Sequence, residues 1–100
     1  MELTANDNTV YSFTYGYYYK MLDKQGPDAK GGAKSYLVNG KMTGGFAVVA
    51  YPAKYSDSGI MTFMINQGGV VYQKDLGKTT EEAAGAMTEF NPDGSWKVVE

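Results

Sequence analysis

From Val10 onward apolar and polar positions alternate. Tyr11, Phe13, Tyr15, Tyr17, Tyr19 and Met21 fall on one side of an extended chain, and Ser12, Thr14, Gly16, Tyr18 and Lys20 fall on the other. Alternation at period two over this length predicts a strand spanning about 10–22. Gly16 is expected to mark a bulge or bend within it. The stretch "DKQGPDAKGGAKS", 23–35, reads as a loop on its Gly-Pro and Gly-Gly pairs. "YLV" at 36–38 is a short extended piece, and Asn39-Gly40 after it is a favoured type I′ turn pair. "FAVVAY", 46–51, is a continuous apolar run of the kind found in central strands, closed by Pro52. "IMTFMIN", 60–66, and "VVYQKDL", 70–76, flank "QGG" and predict a hairpin. Met61, Phe63 and Ile65 share one face of it, and Thr62, Met64 and Asn66 the other.

The period then changes. "TTEEAAGAMTEF", 79–90, predicts a helix with Thr79 and Glu82 as a capping box. Its expected apolar stripe is Ala83, Ala86, Met87 and Phe90. Asn91-Pro92 stops the helix, and Trp96 gives the tail an apolar anchor. Residues 1–9 are polar and read as a flexible N-terminus, leaving 10–100 as a single α+β domain. In it, four main antiparallel strands pack against one C-terminal helix. The odd-numbered face of the first strand, Tyr11 to Met21, is expected to lie under that helix. Tyr18 is then exposed on the opposite face.

Composition narrows the function classes. With 43% hydrophobic and 20% charged residues the chain is globular. Histidine and cysteine are absent, which removes the commonest general base, thiolate nucleophiles and the usual transition-metal ligands. The basic residues are nine lysines and no arginine, and the net charge is −2. Nucleic acid is therefore not an expected partner. No apolar run reaches the roughly 18–20 residues of a membrane span, and no signal peptide is visible in "MELTANDNTV".

From about Tyr15 to Trp96 the chain resembles a bacterial family of unknown function, DUF2950. The matching stretches are "YGYYYKML", "GGAKSYLVNGKMTGGFAVVAYPAKY", "SGIMTFMINQGGVVYQKDLG" and "AMTEFNPDGSWK". The family's usual "HGYY" stands here as "YGYY", with Tyr15 in place of histidine. Family members are longer proteins, commonly exported, and the chain resembles their C-terminal portion. The resemblance therefore implies a periplasmic or secreted location and carries no activity. The 46–71 region also resembles the C-terminal sheet of type IV pilins and pseudopilins.

Candidate chemistry is sparse. Asp57 sits in a turn, and Glu81 and Glu82 open the predicted helix, so each carboxylate has a local structural reason. Asp75, in "QKDLG", has none and is the one to watch for a carboxylate-based hydrolase. Lys34 and Ser35 are adjacent on extended chain and point to opposite faces, against a Ser–Lys dyad. "SDSG" offers calcium too few oxygens. No catalytic residue, metal site or cofactor is expected.

The aromatics remain. Tyr18, joined by Tyr36, Tyr51, Tyr55 and Tyr72, is a candidate surface for a glycan or a protein partner. Cross-strand tyrosine pairs that only stabilise the sheet are the competing account. The leading expectation is a non-catalytic structural or binding domain of the bacterial envelope acting through a sheet face or an edge strand, the latter open to homo-oligomer formation. A polysaccharide- or peptide-binding module is the alternative.

Overall fold

The computed structural model describes residues 10–14 and 16–99, with side chains described from residue 16 onward. In chain order the strands are β1 Val10–Thr14, β2 Tyr17–Leu22, β3 Lys24–Gln25, β4 Lys34–Ser35, β5 Leu37–Val38, β6 Lys41–Met42, β7 Ala47–Pro52, β8 Met61–Asn66, β9 Val71–Asp75 and β10 Lys97–Val98. A 3₁₀ turn, Gly77–Thr79, leads into the helix α1, Thr80–Gly85. Six strands form one sheet in the order β1-β2-β7-β8-β9-β10, with every neighbouring pair antiparallel. The α+β class is as expected, with β7 and the β8–β9 hairpin where the apolar runs put them.

The first strand is corrected. Val10–Thr14 and Tyr17–Leu22 are two antiparallel strands, since Thr14 pairs with Tyr17 and Phe13 with Tyr18. Gly16 holds φ +80° there, and a Cβ on it would come within 2.7 Å of the Ser58 Cβ. Both the left-handed backbone and the close approach need glycine. The 23–35 loop carries the short β3–β4 ladder at its ends. Asn39 and Gly40 take φ values of +53° and +81°, the geometry of a type I′ turn, and join β5 to β6.

The layer on the sheet is also inverted relative to expectation. Lys20 and Leu22 are buried, at 6% and 0% exposure, whereas Tyr17, Tyr19 and Met21 are half-buried. The helix therefore lies over the even-numbered face of β2. Cross-strand partners share a face, so this face carries Tyr18 beside Tyr51, Leu22 beside Ala47, and the row Lys20, Val49, Met64, Tyr72. Ala84 and Phe90 close the core over it, with Tyr18, Met87 and Trp96 packed at its margin.

A lysine in the middle of a core face is explained by the helix end. The last carbonyls of a helix have no intrahelical donors. The Lys20 ammonium supplies them, donating to the Gly85 carbonyl at 2.6 Å and the Met87 carbonyl at 2.7 Å. Helix length and stripe change accordingly. α1 stops at Gly85, not Phe90, and its buried residues are Thr80 and Ala84, while Ala83 and Ala86 are exposed. Thr79 makes no side-chain capping bond, so the expected capping box is absent. Phe90 reaches the core from extended chain. Its N–H donates to the Lys24 carbonyl at 2.8 Å, and its carbonyl accepts from Gly26 N–H at 3.0 Å.

Candidate functional site

The five sequence-selected tyrosines do not form one surface. Tyr18 and Tyr51 meet as a tilted pair with ring centroids 5.6 Å apart, on the helix side of the sheet. Tyr51 is 3% exposed and Tyr18 packs against the core, which corrects the expectation of an exposed Tyr18 opposite the helix. Burial pushes the Tyr51 phenol pKa up, reinforced by the nearby Glu81 carboxylate.

Tyr36 is wholly buried. Its hydroxyl donates to Gln25 Oε1 at 2.8 Å, and the Gln25 amide in turn donates to the carbonyls of Lys30 and Gly32 at 3.0 and 2.7 Å. This network ties the 26–32 loop to the core. Burial raises the Tyr36 pKa, and a hydrogen bond from Asn66 acts against it.

Tyr55 pairs with Asp75, the carboxylate without a local reason in the sequence. The Tyr55 hydroxyl donates to Asp75 Oδ1 at 2.7 Å, and the same oxygen accepts from Gly77 N–H at 2.8 Å. The hydrogen bond to Asp75 holds the Tyr55 phenol above its ordinary pKa. Asp75 thus ends β9 by shaping the turn into the 3₁₀ segment, an Asx-type role. Among the described residues no three acidic, histidine or cysteine side chains gather as a metal site.

Two other features have the shape of interaction surfaces. The first is the face of the sheet away from α1. Register places Tyr19, Ala50, Phe63 and Gln73 in one row and Met21, Val48, Ile65 and Val71 in the next. Tyr17 adjoins Phe63 at 6.2 Å between ring centroids and donates to the Met61 carbonyl at 3.1 Å. All of these side chains are half-buried by their neighbours in the sheet. Tyr17, Tyr19 and Met21 of this set are the residues expected under the helix.

The second feature is a pocket of about 230 Å³ at the β8–β9 turn, on the helix side of the sheet. Tyr72 and Phe90 form its aromatic wall, edge to face with centroids 5.8 Å apart. Asn66, Gln67 and Gly68 of the turn, with Val70 and Lys30, complete it. Tyr72 is the sequence-selected residue that reaches this pocket. Lys30, Asn66 and Gln67 were missed because "NQGG" and "GPDAKGG" carry turn signals, and those signals say nothing of where the side chains converge.

No curated protein and no solved structure matches the chain, so the pilin likeness gains no support. No helix among the described residues is long and apolar enough to cross a membrane. A protein family of unknown function does match, over residues 2–99, nearly the whole chain. The chain belongs to that family, DUF2950.

Proposed function

We propose that the chain is a non-catalytic binding domain of the bacterial envelope, periplasmic or secreted, whose working surface is the open face of its sheet. The observation that carries this reading is that, among the described residues, the cover lies on one side of the sheet. α1 packs on the Val49–Met64 face, while Tyr19, Met21, Val48, Phe63, Ile65 and Val71 carpet the other with partly exposed apolar surface. Contiguous exposed apolar area of this kind marks interaction sites. A composition without histidine, cysteine or arginine supports the non-catalytic part.

The occupant that fits is a second copy of the chain, sheet on sheet, the packing of β-sandwiches at about 10 Å separation. Five strands about 4.8 Å apart and some 20 Å long offer a patch of roughly 500 Å² per copy. The total is then near 1,000 Å², the lower limit for a specific interface, so a weak dimer is expected.

Sedimentation velocity from micromolar to millimolar concentration tests it. Wild type should associate, and Phe63→Lys should stay monomeric with its α1-side packing intact. A wild type that remains monomeric throughout refutes the dimer. Fractionation of cells producing the full-length protein tests the location.

A further inference from the structure

The pocket at the β8–β9 turn lies on the opposite side of the sheet from the proposed dimer surface and is independent of it. We propose that it binds a sugar ring bearing a carboxylate, of the hexuronate type.

Its walls separate into an apolar and a polar part. The edge-to-face Tyr72–Phe90 pair makes an angled apolar wall, interplanar angle 66°. The apolar face of a pyranose can lie against such aromatic surface. The polar part consists of side chains already held by the fold. Gln67 Oε1 accepts from Phe46 N–H at 3.1 Å, and Asn66 Oδ1 accepts from Gly68 N–H at 2.9 Å. With the Gln67 acceptor engaged at Phe46, its amide N–H groups are what that lining side chain has left to offer a ligand.

Lys30 also lines the pocket, and its exposed side chain, without a partner among the described residues, is free to bring its ammonium to a ligand there. The backbone of that loop is anchored, because the Lys30 carbonyl accepts from the Gln25 amide at 3.0 Å. The lining contains no carboxylate. The pocket therefore combines a cation, amide donors and an aromatic wall, with no side-chain anion to repel a negative ligand. At about 230 Å³ it lies below the size of drug-like sites and suits one sugar unit.

For a ligand of about 13 non-hydrogen atoms at ordinary efficiency, a Kd on the order of 1 mM is expected. The test is a titration of the ¹⁵N-labelled chain with sodium D-glucuronate, D-glucose and sodium acetate, read as amide shifts. Glucuronate should shift Asn66, Gln67, Gly68, Tyr72 and Lys30, with glucose roughly three- to tenfold weaker. Acetate should leave these residues unmoved. Lys30→Ala, on an exposed loop, should bring glucuronate down to the affinity of glucose, and Gln67→Ala should weaken both sugars. The proposal is overturned if glucuronate and glucose bind alike, or if acetate reproduces the glucuronate shifts. It is equally overturned if no shift at the pocket develops by about 20 mM, some twenty times the expected Kd.

Discussion

Replacing Lys20 by methionine isolates the contribution of a buried ammonium to this fold. The thioether keeps most of the length of the stem and removes the charge and the donors. What is lost is two short charge-assisted hydrogen bonds, to the Gly85 and Met87 carbonyls. Each such bond contributes about 1.5–3 kcal/mol, so the gross loss is about 3–6 kcal/mol. What is recovered is the cost of holding an ammonium at 6% exposure, which amounts to several kcal/mol per buried ion. Burial lowers the Lys20 pKa, in keeping with that cost. Gly85 itself is exposed, so its freed carbonyl can turn to water and the penalty of an orphan acceptor is partly avoided. The balance is a destabilisation of about 2 kcal/mol. With a urea m-value of about 1–2 kcal/mol/M for a domain of this size, the midpoint should fall by about 1–2 M. The single Trp96 gives a fluorescence signal for the transition. Amide exchange should accelerate first in residues 83–90, where the lost bonds act. A Lys20→Met protein as stable as wild type would show that desolvation cancels the bonds, and the capping account would fail.

Three further outcomes are expected. Thr62→Val should stabilise the fold by about 1 kcal/mol in urea unfolding, because the buried Thr62 hydroxyl has no hydrogen-bond partner among the described residues; a lower midpoint would contradict this. Tyr36→Phe should cost about 1–2 kcal/mol by orphaning the buried Gln25 carbonyl oxygen, and exchange in the 26–32 loop should rise with it. Stability should also fall with rising pH above 10. Burial raises Tyr17, Tyr36 and Tyr51 above their ordinary 10.0, so the unfolded chain ionises first and the stability they contribute below pH 10 is lost as pH climbs. Lys20 works in the opposite sense, since its native pKa lies below 10.5 and stability rises with pH across the window beneath that value. With Tyr55, raised by its hydrogen bond to Asp75, four groups against one give a net decline, and urea midpoints rising through this range would refute it.

The elements legible in the sequence were those whose signal is local. β7, the β8–β9 hairpin and the Asn39-Gly40 turn follow from runs and turn pairs within a few residues. Trp96 packs at the core margin as its isolation in a polar tail implies. The misses have non-local causes. Alternation continues unbroken through "TYGYYYK", yet Thr14 pairs with Tyr17 on a reversed strand, and period two cannot distinguish a long strand from two short ones. Lys20 reads as a solvent-facing residue, and that reading alone sends Tyr18 outward and Tyr17 and Tyr19 inward. Its burial is set by carbonyls 65 and 67 residues away, which no local window contains. α1 was overextended because alanine and glutamate favour helix through Gly85, while the stop is imposed by Lys20 and by the pairing of Phe90 beside Lys24 and Gly26.

The ties between residues 20–26 and 85–90 also set an order of events in folding. α1 has six residues, well short of the dozen or so that an isolated helix needs in water. Its C-terminal partner, the Lys20 ammonium, sits on a strand laid down near the start of the chain. The β8–β9 hairpin can close locally within microseconds, and β7 can dock beside it. β2 must then cross a 24-residue connection to reach β7, and only the completed β2 presents the donor that α1 requires. Closing such long loops before any contact rewards them slows folding. During synthesis the Lys20 ammonium therefore waits for nearly the whole domain to emerge before it gains its acceptors at Gly85 and Met87.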